Sequence, residues 1–168
     1  MTATDLTPAR AQRGRVVVDT SAWIEYFVDS ALGQRIKPSL PPLEECIVPT
    51  IVQHELEKWA LRALSDVQHE HVDRTLGNCP VDMLDTSTAK RAAQVHRRHK
   101  LATADALIYA TALKFHAEVV TCDAHFKELP SVQYHPKGES QGGDVSSRGA
   151  AGQWNGWPTS DQMSARMQ

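Results

Sequence analysis

Three consecutive valines, Val16–Val18, run directly into Asp19, Thr20 and Ser21 and then into the helix-like stretch "AWIEYFV". An uninterrupted β-branched run, unlike an alternating one, marks a strand buried on both faces, and such strands belong to parallel sheets with helical cover. The pattern recurs along the chain. "ECIVP" at 45–49 reads as a second strand, "VDML" at 81–84 as a third, "EVVTC" at 118–122 as a fourth, and "SVQYH" at 131–135 as a short fifth. Helical periodicity fills the intervals. Thr20 is expected to cap a helix over 21–28, and Thr50 with Gln53 to form a capping box for one over 51–64. Further helices are predicted over 67–76, 87–99 and 103–116, the last capped by Thr103. Alternating strands and helices predict an α/β fold, a three-layer α/β/α domain around a central, mainly parallel sheet of four to five short strands.

The chain has 168 residues, enough for one domain with a real core. Its ends differ from its middle. Residues 1–14 are polar and Ala/Arg-rich without periodicity, which predicts a disordered segment. Six of the nine glycines fall between Gly138 and Gly156, so 137–168 is expected to be a flexible Gly/Ser-rich tail with Trp154 and Trp157 as its only strong anchors. The folded domain is therefore expected over 15–136. A net charge of −2 excludes the overall basic signature of a strong nucleic-acid binder, so any such binding needs a local patch. The chain shows neither an apolar secretion signal near its start nor a stretch long enough to span a membrane, and its three cysteines form no CxxC pair. A reducing, cytoplasmic setting is expected, and structural zinc is not.

Four acids stand in unusual places. Asp19 ends the first strand and Asp123 the fourth, at the carboxyl ends where open α/β sheets form their crevices. Glu55 falls on the apolar stripe formed by Val52, Leu56, Trp59, Ala60, Ala63 and Leu64; Asp105 falls on the one formed by Leu101, Ile108, Ala112 and Phe115. Each acid alone has an ordinary structural reading. Asp19 can cap the next helix, Glu55 can pair with an arginine, and Asp105 can answer a helix dipole. Together they form a constellation, and carboxylates that converge repel one another unless a cation joins them. Oxygen donors alone select a hard cation, Mg²⁺ or Mn²⁺, and such a site suits phosphodiester hydrolysis.

Thr20, Ser21 and Thr121 place hydroxyls beside the acids, where they can orient carboxylates or serve as plain caps. The segment "KRAAQVHRRHK" at 90–100 holds five Lys/Arg and leads into the helix of Asp105. Arg97, Arg98 and Lys100 are thus candidate phosphate contacts, against the alternative of a solvated amphipathic helix with Ala92, Ala93 and Val95 turned inward. His54 lacks the second histidine of an HExxH motif. His69, His71, His116 and His125 show no ligand spacing, so surface or packing roles are expected for them.

"VVVDTSAW" resembles the first motif of PIN domains, and "TIVQHEL" resembles the segment carrying their second acid. "TADALIYATAL" is similar to the family's D-x-x-I-x-x-T-A helix, and "VVTCDAHF" to its T-x-D-x-x-F element. The likeness spans residues 15–136 in the right order, and the small size looks most like the VapC-type toxins of toxin–antitoxin pairs. The resemblance implies a Mg²⁺-dependent endoribonuclease, a homodimer held inactive by a cognate antitoxin. It puts Asp19, Glu55, Asp105 and Asp123 in the places of the family's metal-binding, catalytic acids. The alternative is a non-catalytic PIN-like module that binds RNA or protein. An intact set of four acids favours the nuclease, since a binding module has no use for repelling carboxylates. A phosphorylatable receiver domain would want an acidic pair after the first strand and a lysine near the last, and neither is clear here.

Overall fold

The computed structural model describes residues 14–138. The expectations for 1–13 and 139–168, with Trp154 and Trp157, lie outside these residues. The chain forms β1 (Val16–Val18), α1 (Thr20–Phe27), α2 (Ala31–Ile36), β2 (Cys46–Pro49), α3 (Thr50–Ala63) and α4 (Asp66–Leu76). There follow β3 (Val81–Asp82), α5 (Thr86–His99), α6 (Thr103–Phe115), β4 (Glu118–Thr121) and β5 (Val132–Tyr134). One sheet in the order β3-β2-β1-β4-β5 results, and every neighbouring pair is parallel. Every residue of β1 and β2 is buried, as are the last three of β4. Because successive side chains point to opposite faces, this burial requires helices on both sides of the sheet. The α/β/α reading holds, and the sheet is wholly rather than mainly parallel. Among the described residues no helix is long and apolar enough to cross a membrane.

Chain direction across the sheet explains where a crevice opens. From β1 the chain steps outward through β2 and β3, then returns with β4 to the other side of β1. The topological switch point thus lies between β1 and β4, where the loops leaving the two strands diverge. Asp19 and Asp123 flank it, and the Asp19 N–H donates to the Val120 carbonyl at 2.9 Å.

Several local expectations are corrected. Thr20 is not a cap: Asp19 is the N-cap of α1, accepting from the Ser21 N–H, and Thr20 is the first helical residue. Thr50 and Gln53 form no capping box, since α3 starts directly after Pro49 without a side-chain cap. The box appears at α4, where the Ser65 N–H donates to Gln68 Oε1 at 3.0 Å. Thr103 likewise begins α6, behind Ala102. A hydroxyl one residue before a periodic run signals a cap only when its own backbone is extended; here the extended position falls one residue earlier each time. β3 has two residues rather than four, leaving Met83 and Leu84 exposed. Ala63 and Ala93 are exposed, not inward.

Candidate active site

Asp19 is 5 % exposed, and a carboxylate buried to that degree needs donors. Oδ2 accepts from the Ser21 hydroxyl, from the Ser21 N–H at 3.3 Å and from the Thr121 hydroxyl at 2.8 Å. The two hydroxyls are themselves held from behind. Ser21 Oγ accepts from the Cys122 N–H and Thr121 Oγ1 from the Asp123 N–H, both at 2.9 Å. With their acceptor sides occupied, their protons point at Asp19, so this ring locks the end of β1 to the end of β4. Among the described residues no hydrogen bond falls on Oδ1 of Asp19, so one oxygen is anchored and the other is available.

Glu55 reaches the same region from α3. Thr20 Oγ1 donates to its Oε2 at 2.6 Å, so each supporting hydroxyl expected from the sequence touches an acid. Val52, Leu56, Trp59 and Ala60 bury the rest of that helix face, and Glu55 itself is half-buried. Asp105, on the first turn of α6, has a side chain only 17 % exposed. Its carboxyl is pushed up to about 6, first by burial and then by the charges of Asp123, Asp19 and, more weakly, Glu55. The other three acids thus lie within electrostatic reach of Asp105. Burial, rather than the repulsion alone, is the largest cause.

Asp123 caps a 3-10 turn over Ala124–Phe126, its Oδ1 accepting from the His125 N–H at 2.9 Å. This turn brings in a residue for which the sequence had suggested only a surface or packing role. His125 Nδ1 lies 3.0 Å from Asp123 Oδ1 and 3.9 Å from Asp105 Oδ2. The three groups each offer a ligand atom within 4.8 Å of the others. Its signal is the spacing D-x-H inside "CDAHF", which a tight turn converts into a shared edge. Glu57, His69 and Asp73 make a second such group, but outside the crevice, on α3 and α4, where His69 Nε2 pairs with Glu57 Oε2 at 2.8 Å.

Arg97 and Arg98 line an open groove of roughly 830 Å³ on α5 and α6, together with Arg91, His99, Leu113 and His116. Lys100 ends α5 in the left-handed conformation, exposed and one turn ahead of Asp105. The basic segment therefore faces solvent and is joined to the helix of Asp105 by the short α5–α6 connection.

The family model of the PIN domain matches residues 16–132. The chain belongs to the PIN-domain family. No curated protein sequence matches it. Among solved structures, this PIN domain is similar to a toxin–antitoxin complex from Klebsiella pneumoniae, with a TM-score of 0.63 and 21 % identity over 71 % of this chain and 96 % of that one. It is similar to Mycobacterium tuberculosis VapC20, a toxin that cleaves the sarcin–ricin loop, with a TM-score of 0.59 and 20 % identity over 72 % and 99 % of the chains. DNA-bound VapBC from Salmonella typhimurium shares the fold at a TM-score of 0.59 and 16 % identity, over 73 % of this chain and 98 % of that one.

Proposed function

We propose that this PIN domain is a metal-dependent endoribonuclease, the toxin of a type II toxin–antitoxin pair, acting in the cytoplasm as a homodimer until its antitoxin binds. The observation that carries the reading is the crevice of Asp19, Glu55, Asp105 and Asp123, with Asp105 pushed up to about 6 in part by its neighbours' charges. A protein gains no stability from such an arrangement, and a cation relieves it. The donor set fits a hard divalent ion, Mg²⁺ or Mn²⁺: mostly carboxylate oxygens, one of them, on Asp19, without a hydrogen-bond partner among the described residues. Such an ion, when bound, polarises the scissile phosphate and activates water for attack on phosphorus. Asp19, Glu55, Asp105 and Asp123 would hold it.

The chain's own residues then have separate tasks. Ser21 and Thr121 fix Asp19, and Thr20 fixes Glu55, so the oxygens keep their positions when charge enters the crevice. Arg97, Arg98 and Lys100 offset the repulsion that RNA phosphates meet at an acidic mouth. The likeness to toxin structures, one of them named for cleaving the sarcin–ricin loop, supports the choice of RNA as substrate and of an antitoxin as partner. Cleavage of RNA in Mg²⁺, with and without EDTA, by wild type and by Asp19→Asn tests this reading. EDTA should abolish cleavage and Asp19→Asn should lower it at least about 100-fold, since losing a group that merely orients a ligand already costs about 10–100-fold. Cleavage that survives both treatments overturns the metal mechanism; RNA binding without any cleavage would leave a binding module.

A further inference from the structure

The crevice contains one side chain that a purely oxygen-coordinated site would not require. His125 sits on the 3-10 turn Ala124–Phe126, between Asp123, which caps that turn, and Phe126, which is fully buried. The turn is thus fastened at both ends. The imidazole itself is 74 % exposed, so packing does not account for its direction toward the acids. We propose that His125 Nδ1 is a ligand of the catalytic metal, making the site a mixed oxygen–nitrogen one that favours Mn²⁺ over Mg²⁺. The proposal rests on the metal-dependent reading above and goes beyond it by assigning a ligand and a metal preference.

Distances between ligand atoms support the assignment. Octahedral coordination at about 2.1 Å sets neighbouring ligand atoms about 3 Å apart and opposite ones about 4.2 Å apart. Nδ1 lies 3.0 Å from Asp123 Oδ1 and 3.9 Å from Asp105 Oδ2, one spacing at the short value and the other approaching the long one. All three ligand atoms fall within 4.8 Å of one another. A protonated His125 paired with both carboxylates is the competing account of the two distances, and the metal-binding experiment below separates the two. Ligand chemistry then sets the preference. Mg²⁺ takes oxygen and keeps its water, whereas Mn²⁺ accepts imidazole nitrogen as well as carboxylate. Nδ1 can act as a ligand while Nε2 keeps the ring's proton toward solvent.

The experiment measures metal binding to the full chain without RNA. Mg²⁺ and Mn²⁺ are titrated separately by calorimetry into wild type and His125→Ala, and the Mn²⁺-loaded proteins are examined by electron spin-echo envelope modulation. Wild type should show ¹⁴N modulation from a directly bound nitrogen, and His125→Ala should lose it. The ratio of Mn²⁺ to Mg²⁺ affinity should fall about tenfold in the variant, mainly through weaker Mn²⁺ binding. Removing the ring leaves the His125 N–H on Asp123 in place, and unchanged circular dichroism confirms the fold; His125→Gln, tested alongside, keeps a side chain of similar reach. Modulation that persists in His125→Ala or is missing from wild type, or an unaltered affinity ratio in both variants, overturns the assignment. If neither ion binds wild type, the metal reading falls together with it. If Mn²⁺ binds through nitrogen but RNA stays intact, the ligand assignment stands and the nuclease reading falls.

Discussion

Asp105 occupies the first turn of α6, where a helix dipole favours a negative charge by about 0.3–1 kcal/mol. Its carboxyl is nevertheless pushed up from an ordinary 3.8 to about 6, a difference worth roughly 3 kcal/mol, so burial and the neighbouring acids outweigh the dipole. The sign of the pH dependence follows. A folded-state value above the unfolded one means that Asp105 favours folding fully only below about pH 4, and that this contribution is lost as pH climbs through 6. Asp105→Asn keeps the shape and removes the charge. Without metal, the variant should match wild type near pH 4 and melt higher at pH 8, by about 2 kcal/mol or on the order of 5 °C. Thermal melts in EDTA across that range check it. A variant that melts below wild type at pH 8 would make Asp105 a structural acid, and its place at a metal site would be lost. Asp19 and Glu55 are held by hydroxyl neighbours that the sequence shows plainly, whereas the near approach of His125 depends on a turn that no periodicity announces.

At the scale of elements, α2 is absent from the periodicity because its six residues are too few to display any. A close packing of backbones holds it in place. A Cβ built on Gly33 would stand 1.9 Å from the backbone oxygen of Glu25 in α1, so only glycine lets α2 fold back this far. The Ser30 hydroxyl caps the turn between the helices, accepting from the Gly33 N–H at 2.9 Å. Helix propensity alone would make Gly33→Ala stabilising by about 1 kcal/mol. The clash is with backbone rather than with a flexible side-chain tip, so overpacking should win and the variant should lose about 1–3 kcal/mol net. Urea unfolding settles the sign, and a midpoint equal to or above wild type would show that α1 and α2 separate more easily than their packing suggests.

For the molecule as a whole, charge is divided rather than summed. A chain of net charge −2 carries an acidic crevice at the carboxyl edge of its sheet and a basic groove on α5 and α6. On the proposed nuclease reading, RNA approaching the crevice would meet repulsion that the groove offsets, so binding should depend steeply on salt despite the slightly negative total. Replacing Arg97 and Arg98 together by glutamine should weaken RNA binding and flatten the plot of log affinity against log salt by about 0.7 per lost contact, roughly 1.4 for both. Filter-binding or anisotropy titrations at several salt concentrations measure the slope. A slope equal to that of wild type would return the segment to a solvated helix face.

The sequence by itself determined the layer architecture, because unbroken valine runs can be buried only in a covered parallel sheet, and this holds whatever the loops do. It also singled out Asp19, Glu55, Asp105 and Asp123 as candidates, since a carboxylate at a strand end or on an apolar stripe is costly wherever it is found. The caps of α1, α3 and α6 were each placed one residue late, because capping depends on backbone angles that a side-chain pattern does not encode. Tertiary structure alone decided the rest. Only the reversal of strand order at β1 brings Asp19 beside Asp123, residues about a hundred positions apart, and only there can Ser21 and Thr121 close a ring around one carboxylate oxygen. The elevation of Asp105 and the aim of His125 arise in the same way: both are properties of distance and burial, and these exist only once the chain has folded.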